Sequence, residues 1–381
     1  MRPPRLLFVV NVSWFFISHR LALAVAARAA GFDVHVATQV HSEDDRRKIC
    51  DAGVQLHELT LSRSSLAPWG NLALLCKLVA LYRRLRPDLV HHVTMKPNVL
   101  GGWAARMTGV PAVVYAISGL GFAFTVHGRG ARIRRALLKW FMRSALDHRN
   151  SRVVFQNPDD MRSMVEAGVV QAARTVMIRG SGVDLSSYPP APEPPAPVRV
   201  LLASRLLREK GVAEYIQAAR ELNSRGVAAE FLLAGDVDDG NPGSFTRAQV
   251  EAWQAAGDIK WLGHVAPIAP LLASVHVVTL PSYREGLPKV LIEAAAAGRA
   301  VVATDVPGCR EIVLDKLTGL LVPPHDPAAL TLAIATLVEQ PAARRRMGEA
   351  GRERVAAAFT IRHVIDQTLQ AYRDLGVRVG T

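Results

Sequence analysis

Two glutamates eight positions apart, Glu285 and Glu293, and two cations five positions apart, Arg205 and Lys210, are the charged groups of this chain best suited to hold a polar, anionic ligand. A carboxylate in a loop, as at Glu285, can accept hydrogen bonds from a hydroxyl-bearing ligand. Glu293 falls among Val290, Leu291, Ile292 and a run of alanines, and a carboxylate in so apolar a stretch needs a partner. Arg205 and Lys210 follow an apolar run, where a guanidinium fork and a point charge can neutralise a diphosphate. Each also has a plainer reading: a Lys289–Glu293 pair at i,i+4 on a solvated helix face, an ordinary loop charge at Glu285, and two solvent-facing cations.

The elements that must hold these groups can be read around them. Val275, Val277, Val278 and Leu280 predict a strand, which Pro281 stops because it has no N–H to donate. Gly286 supplies a tight turn, Pro288 suits a first helical position, and 289–297 reads as a helix closed by Gly298. The opening turn of such a helix aims free backbone N–H groups, with the positive end of its dipole, above the strand end. Upstream, SRLLREKG follows a strand at 198–204 and precedes a helix starting near Val212; IKWLGHV at 259–265 reads as a strand with a turn at Gly263.

The same alternation runs along the whole chain. Apolar runs at 6–10, 33–38, 89–92, 112–115 and 153–156 alternate with helical patterns, and the pattern restarts at 198–204, 230–235, 259–262, 275–280 and 300–304. This predicts α/β architecture with parallel sheets. Residues 189–197, PPAPEPPAP, contain six prolines and are expected to form a stiff connector at the domain boundary. The expected division is 1–188 as a first Rossmann-like domain, 189–197 as linker, 198–361 as a second Rossmann-like domain, and 362–381 as a terminal helix.

At 381 residues and 50% hydrophobic, the chain can bury two cores. Three cysteines, Cys50, Cys76 and Cys309, stand in no metal or redox spacing and suggest a reducing cytoplasm. The opening MRPPRLLFVVNVSWFFISHR mimics a secretory signal, but Asn11, Ser13, His19 and Arg20 interrupt its apolar core, and no apolar run reaches eighteen residues. Residues 1–190 hold 25 Lys and Arg against 12 Asp and Glu, so all of the net +13 lies in that half. At 129–149, Arg132, Arg135, Lys139 and Arg143 fall near one helical face and Ile133, Leu137, Trp140 and Phe141 near another. That pattern suits an anionic membrane surface, the alternative being a helix that packs its apolar stripe on its own domain. Nucleic acid is not expected, because no recognition module accompanies the charge.

Taken together, PSYREGLPKVLIEA with the following AVVATDVPGCRE resembles the retaining glycosyltransferases of family 4, which carry an E-x7-E signature. The resemblance extends over nearly the whole chain and is tightest from 200 to 311. It implies the GT-B fold, two facing doubly wound parallel-sheet domains with an interdomain cleft, the terminal segment crossing back onto the first domain. It implies that Glu285 holds donor-sugar hydroxyls, that Glu293 holds the nucleotide ribose, and that the N–H groups of Gly286 and Leu287, beside Pro288, face the donor's phosphates and sugar. SRLLREKG resembles the family's G-R-x4-K-G diphosphate loop, with Ser204 in place of its glycine; IKWLGHV resembles the strand and loop, here with Gly263, that read the base. FFISHR, HHVTMKPN, SGLG, FQNPDD and GSGVD resemble a bacterial subgroup that elongates undecaprenyl-diphosphate-linked sugars, with His19, Lys96 and Ser118 as acceptor-side candidates. The first loop has Trp14-Phe15-Phe16 where many members have a glycine pair.

The expected reaction is retaining transfer of a hexose or N-acetylhexosamine from a nucleotide diphosphate sugar, UDP-linked, to a lipid-diphosphate-linked glycan by a peripheral protein on the inner face of the membrane. Arg205, Lys210 and the helix start would stabilise the departing diphosphate. No cofactor is expected. No metal is expected either, because these cations supply the charge a metal would bring to Asp236-x-Asp238. A UDP-sugar epimerase on the same fold and a noncatalytic membrane-surface subunit are the alternatives; dinucleotide chemistry is disfavoured because no G-x-G-x-x-G follows either first strand.

Overall fold

The computed structural model describes residues 2–59, 68–119 and 129–378, and for residues 68, 129–136 and 138 the backbone alone. The chain divides into two compact units, Met1–Ser181 with Ile361–Thr381, and Gly182–Thr360.

In the first unit seven strands, β1 (Arg5–Val12), β2 (Asp33–Gln39), β3 (Gln55–Glu58), β4 (Leu89–Val93), β5 (Ala112–Ile117), β6 (Ser151–Phe155) and β7 (Thr175–Met177), form one sheet ordered β3-β2-β1-β4-β5-β6-β7. Every pairing is parallel. Side chains alternate between the faces of a strand, so Leu7, Val9, Val90 and Val113 enter one core while Leu6, Phe8, Val10 and Val114 enter the other. Burial on both faces explains the near-continuous apolar runs. The first core receives the helices Pro68–Leu85, Gly102–Thr108 and Arg129–Leu146; the second receives Leu21–Ala29 and the terminal helix Ile361–Asp374. Tyr372 of that terminal helix bonds His91 Nδ1 on β4 at 2.6 Å.

The second unit repeats the plan with six parallel strands: β8 (Val198–Ala203), β9 (Ala229–Ala234), β10 (Lys260–Trp261), β11 (Val277–Leu280), β12 (Ala300–Thr304) and β13 (Gly319–Val322), ordered β10-β9-β8-β11-β12-β13. Chain direction across the sheet reverses between β8 and β11. In open α/β sheets such a switch point leaves a crevice outside the carboxyl ends of the two strands.

The structure corrects the boundary. The units meet at Ser181 and Gly182, upstream of the proline-rich stretch, which packs on the second unit. Arg299 Nη2 donates to the carbonyls of Ala191 and Pro192, each at 3.3 Å; His276 Nε2 bonds Pro194 O at 3.0 Å; and Glu193 pairs with the buried Arg344 at 2.8 Å. Prolines lack donors but keep carbonyls, and here those carbonyls find buried donors. The helix that carries Glu293 is Lys289–Ala296, and Pro288 is its N-cap rather than its first residue. Leu120 and Gly121 of SGLG lie outside the described residues.

His92 on β4 is fully enclosed, its Nε2 2.8 Å from Tyr82 Oη. Burial, then the neighbouring His148, lowers its pKa from 6.5 to about 3, and burial sends His91 well below its usual value. Between about 3 and 6.5 the unfolded chain therefore binds a proton at His92 that the folded chain refuses, so stability falls as pH drops through that window. The expected loss from His92 is up to about 1.4 kcal/mol per pH unit below its unfolded value. Denaturant titrations at pH 7.5 and 5.5 should show it, and His92→Gln should flatten the dependence; an unchanged slope in that variant would refute the assignment.

Candidate active site

At the switch point of the second sheet, the loop after β8 and the loop after β11 bring opposite charges together. Lys210 Nζ lies 2.5 Å from Glu285 Oε1, the two side chains 18% and 10% exposed. A charge-assisted hydrogen bond this sheltered is stronger than a surface pair, and removing either partner leaves the other charge without compensation. The two loops are pinned by backbone bonds. Tyr283 N donates to Glu209 O at 2.9 Å, and Gly211, at φ 70°, closes the turn Arg208–Lys210 before the helix Val212–Ser224. Gly211 is required twice over, since its φ favours glycine and a Cβ there would stand 2.1 Å from Pro281 O.

The loop from Glu285 to Pro288 is pressed against the start of the helix Pro307–Ile312. A Cβ on Gly308 would meet the carbonyls of Gly286 and Glu285 at 2.6 and 2.7 Å. Leu287 sends its side chain into the core, and Gly286 and Pro288 beside it are buried as well. Beneath it, burial and then the Glu285 carboxylate push the Cys309 thiol well above its usual pKa, while Lys210 acts the other way.

Glu293 occupies the second turn of the helix Lys289–Ala296. Its Oε1 accepts from Tyr188 Oη at 3.0 Å and lies 3.3 Å from Lys289 Nζ. The i,i+4 pair anticipated as the plainer reading does form, but Glu293 is buried at 9% exposure rather than on a solvated face. Tyr188 supplies the partner that a buried carboxylate needs, and no sequence signal marks it. Its own pKa rises well above the usual phenol value through burial, then the Glu293 charge, so the phenol remains a donor.

Arg205 lies on the same loop as Lys210, but its partner is Asp238, Nη1 to Oδ2 at 3.1 Å, with both side chains partly exposed. Gly263, at φ 66°, accepts from Gly235 N at 2.7 Å, tying the loop after β10 to the end of β9. The structure thus joins Glu285 to Lys210 and sets Glu293 with Tyr188 and Lys289, while Arg205 makes no hydrogen bond or ion pair with either glutamate among the described residues. No group of three or more His, Cys, Asp or Glu suited to a metal occurs among the described residues.

His19, Lys96 and Ser118 belong to the first unit. His19 is half-buried, stacked on Phe15 at 4.0 Å between ring centroids, with Nδ1 2.6 Å from Ser18 Oγ. Lys96 precedes the short helical turn Pro97–Gly101, and burial lowers its pKa. Ser118 follows β5 directly and is half-buried.

Comparison with known proteins adds the chemical class. Residues 197–340 match the family Glycosyl transferases group 1, and residues 5–157 match Glycosyl transferase 4-like. The N,N'-diacetylbacillosaminyl-diphospho-undecaprenol alpha-1,3-N-acetylgalactosaminyltransferase of Campylobacter jejuni subsp. jejuni is 26% identical over 314 residues, 79% of this chain and 81% of that protein. The capsular polysaccharide biosynthesis glycosyltransferase CapM of Staphylococcus aureus is 24% identical over 91% of this chain and 90% of its own. Among solved structures, HepE of Anabaena in complex with UDP superposes with a TM-score of 0.75 at 20% identity, covering 97% of this chain and 99% of that one.

Replacing Gly211 by alanine should cost about 1–3 kcal/mol and separate the two loops. Chemical denaturation checks this, and a stability equal to that of the parent protein would contradict the close approach to Pro281.

Proposed function

We propose that the chain, a glycosyltransferase of the GT-B type, moves a hexose or N-acetylhexosamine from a UDP-sugar to a lipid-diphosphate-linked glycan with retained anomeric configuration. The observation that carries this reading is the sheltered Lys210–Glu285 pair at the β8/β11 switch point, beside the start of the helix Lys289–Ala296. In this reading Lys210 and Arg205 neutralise charge on the departing diphosphate, and the N–H groups from Gly286 to the helix start add fixed donors. Glu285 accepts from donor-sugar hydroxyls, Glu293 accepts from the ribose, and backbone at Gly263 meets the base. The reaction is metal-independent because fixed cations take the role a divalent ion would have, and the Asp238 carboxylate is engaged by Arg205. A front-face route, in which the leaving phosphate oxygen takes the acceptor's proton, asks no side chain to titrate. His19, Lys96 and Ser118 are the acceptor-side residues. Support for the acceptor class comes from the Campylobacter relative, whose name specifies an undecaprenol diphosphate glycan; support for the donor comes from the UDP complex of HepE.

A lipid-linked acceptor implies work at a membrane surface, here the inner face. No described helix is long and apolar enough to cross a membrane. The helix Arg129–Leu146 packs with Met142, Ala145 and Leu146 and leaves Leu137, Trp140 and Phe141 outward at 52%, 62% and 41% exposure. Trp69 and Leu72 on the helix Pro68–Leu85 and Met107 on Gly102–Thr108 are also exposed, and all three helices pack on the same face of the first sheet. Between positions 59 and 146 the chain carries thirteen Lys and Arg and one acid, Asp88. Exposed large apolar side chains on a stretch of sequence this rich in cations fit an interface of anionic lipid headgroups.

Two measurements test the reading. Glu285→Gln and Lys210→Ala should each lower transfer of radiolabelled sugar into a lipid-linked product by about 10²–10³-fold per folded molecule, assayed well below each variant's unfolding transition; near-normal transfer by either would overturn the site. The double change Leu137→Ser and Trp140→Ser should reduce co-sedimentation with phosphatidylglycerol-containing vesicles at least about fivefold. Equal sedimentation of parent and variant would remove the membrane surface from the account.

A further inference from the structure

The geometry points to Tyr188 as a positioning residue that fixes one oxygen of Glu293, leaving the other to accept from a ribose hydroxyl, and so sets discrimination between ribonucleotide and 2′-deoxyribonucleotide donors. This inference rests on the reading of Glu293 given above and adds to it a residue that lies 105 positions away in the sequence.

Tyr188 Oη and Lys289 Nζ converge on the same atom, Oε1, at 3.0 and 3.3 Å. Oε2 carries no hydrogen bond among the described residues. A carboxylate held at one oxygen loses the rotation that would let it adapt to any donor, so its remaining lone pairs point in a set direction. Lys289 offsets the negative charge, which allows a diphosphate nearby without strong repulsion, and leaves Glu293 to act by hydrogen bonding. A directed acceptor of this kind selects a neutral hydroxyl donor, because an analogue lacking the hydroxyl covers the oxygen without giving it a partner.

Tyr188 is itself held in place rather than resting by chance on the carboxylate. It is 8% exposed, follows the turn Leu185–Ser187, and the Asp184 side chain caps that turn by accepting from Ser186 N at 3.0 Å. Arg352 Nη1 donates to Tyr188 O at 2.6 Å and also to Ala296 O, at the end of the helix that carries Glu293. One guanidinium therefore bridges the tyrosine's segment and the glutamate's helix, and fixes the distance between the two side chains.

The experiment measures binding of UDP and 2′-deoxy-UDP by calorimetry to the full chain and to Tyr188→Phe and Glu293→Gln. The parent should prefer UDP about tenfold or more. Tyr188→Phe, which removes only the hydroxyl, should lower that preference about threefold to tenfold, the affinity for UDP falling by that factor more than the affinity for 2′-deoxy-UDP. If Glu293→Gln abolishes the preference and Tyr188→Phe retains it, the role of Tyr188 is overturned and the reading of Glu293 stands. If Tyr188→Phe weakens both nucleotides equally, the tyrosine is merely structural and the inference fails. Should Glu293→Gln keep the full preference, the ribose reading itself is wrong.

Discussion

The attraction between Lys210 and Glu285 is the interaction that organises the switch point of the second sheet. Opposite charges on the loops after two neighbouring strands hold those loops together at the one place in the sheet where the chain reverses its order. The parallel sheet makes the arrangement possible, because every strand delivers its following loop to the same edge. The two glycines make it tight: Gly211 lets the first loop approach Pro281, and Gly308 lets the second approach the helix beyond β12. Neither charge is far from solvent, yet neither is free to wander, which is the condition for fixed electrostatics in a reaction that moves negative charge onto a leaving group.

Much of the fold was legible because parallel strands buried on both faces are written as apolar, β-branched runs, and all ten expected strands exist within a few residues of their anticipated ends. The three that escaped notice are short or peripheral. β3 is the polar QLHE at a sheet edge, β7 has three residues, and β13 opens on a glycine. The boundary was misplaced for a physical reason: a run of prolines announces extended backbone but says nothing about what its carbonyls will meet, and here Arg299, His276 and Arg344 bind the stretch to the second unit.

The site divided along similar lines. Glu285, Lys210 and Glu293 sit within local patterns of strand, turn and helix, so their placement follows from short-range signals. Tyr188 does not, since its contact with Glu293 depends on two distant segments meeting and on Arg352 joining them. The helix Arg129–Leu146 shows a third limit. Its pattern suggested one apolar stripe, but Met142, Ala145 and Leu146 take the packing role and leave Leu137, Trp140 and Phe141 to solvent. Periodicity identifies an apolar surface without saying how much of it a domain will cover.

Arg205, like Lys210, already has a carboxylate partner, but its pair is the more open of the two. Its guanidinium already rests against Asp238, and that pair is partly open to water. In the proposed reading, an anion arriving at Arg205 displaces a carboxylate rather than meeting a bare cation, and that carboxylate is at hand to take the guanidinium back when the anion leaves.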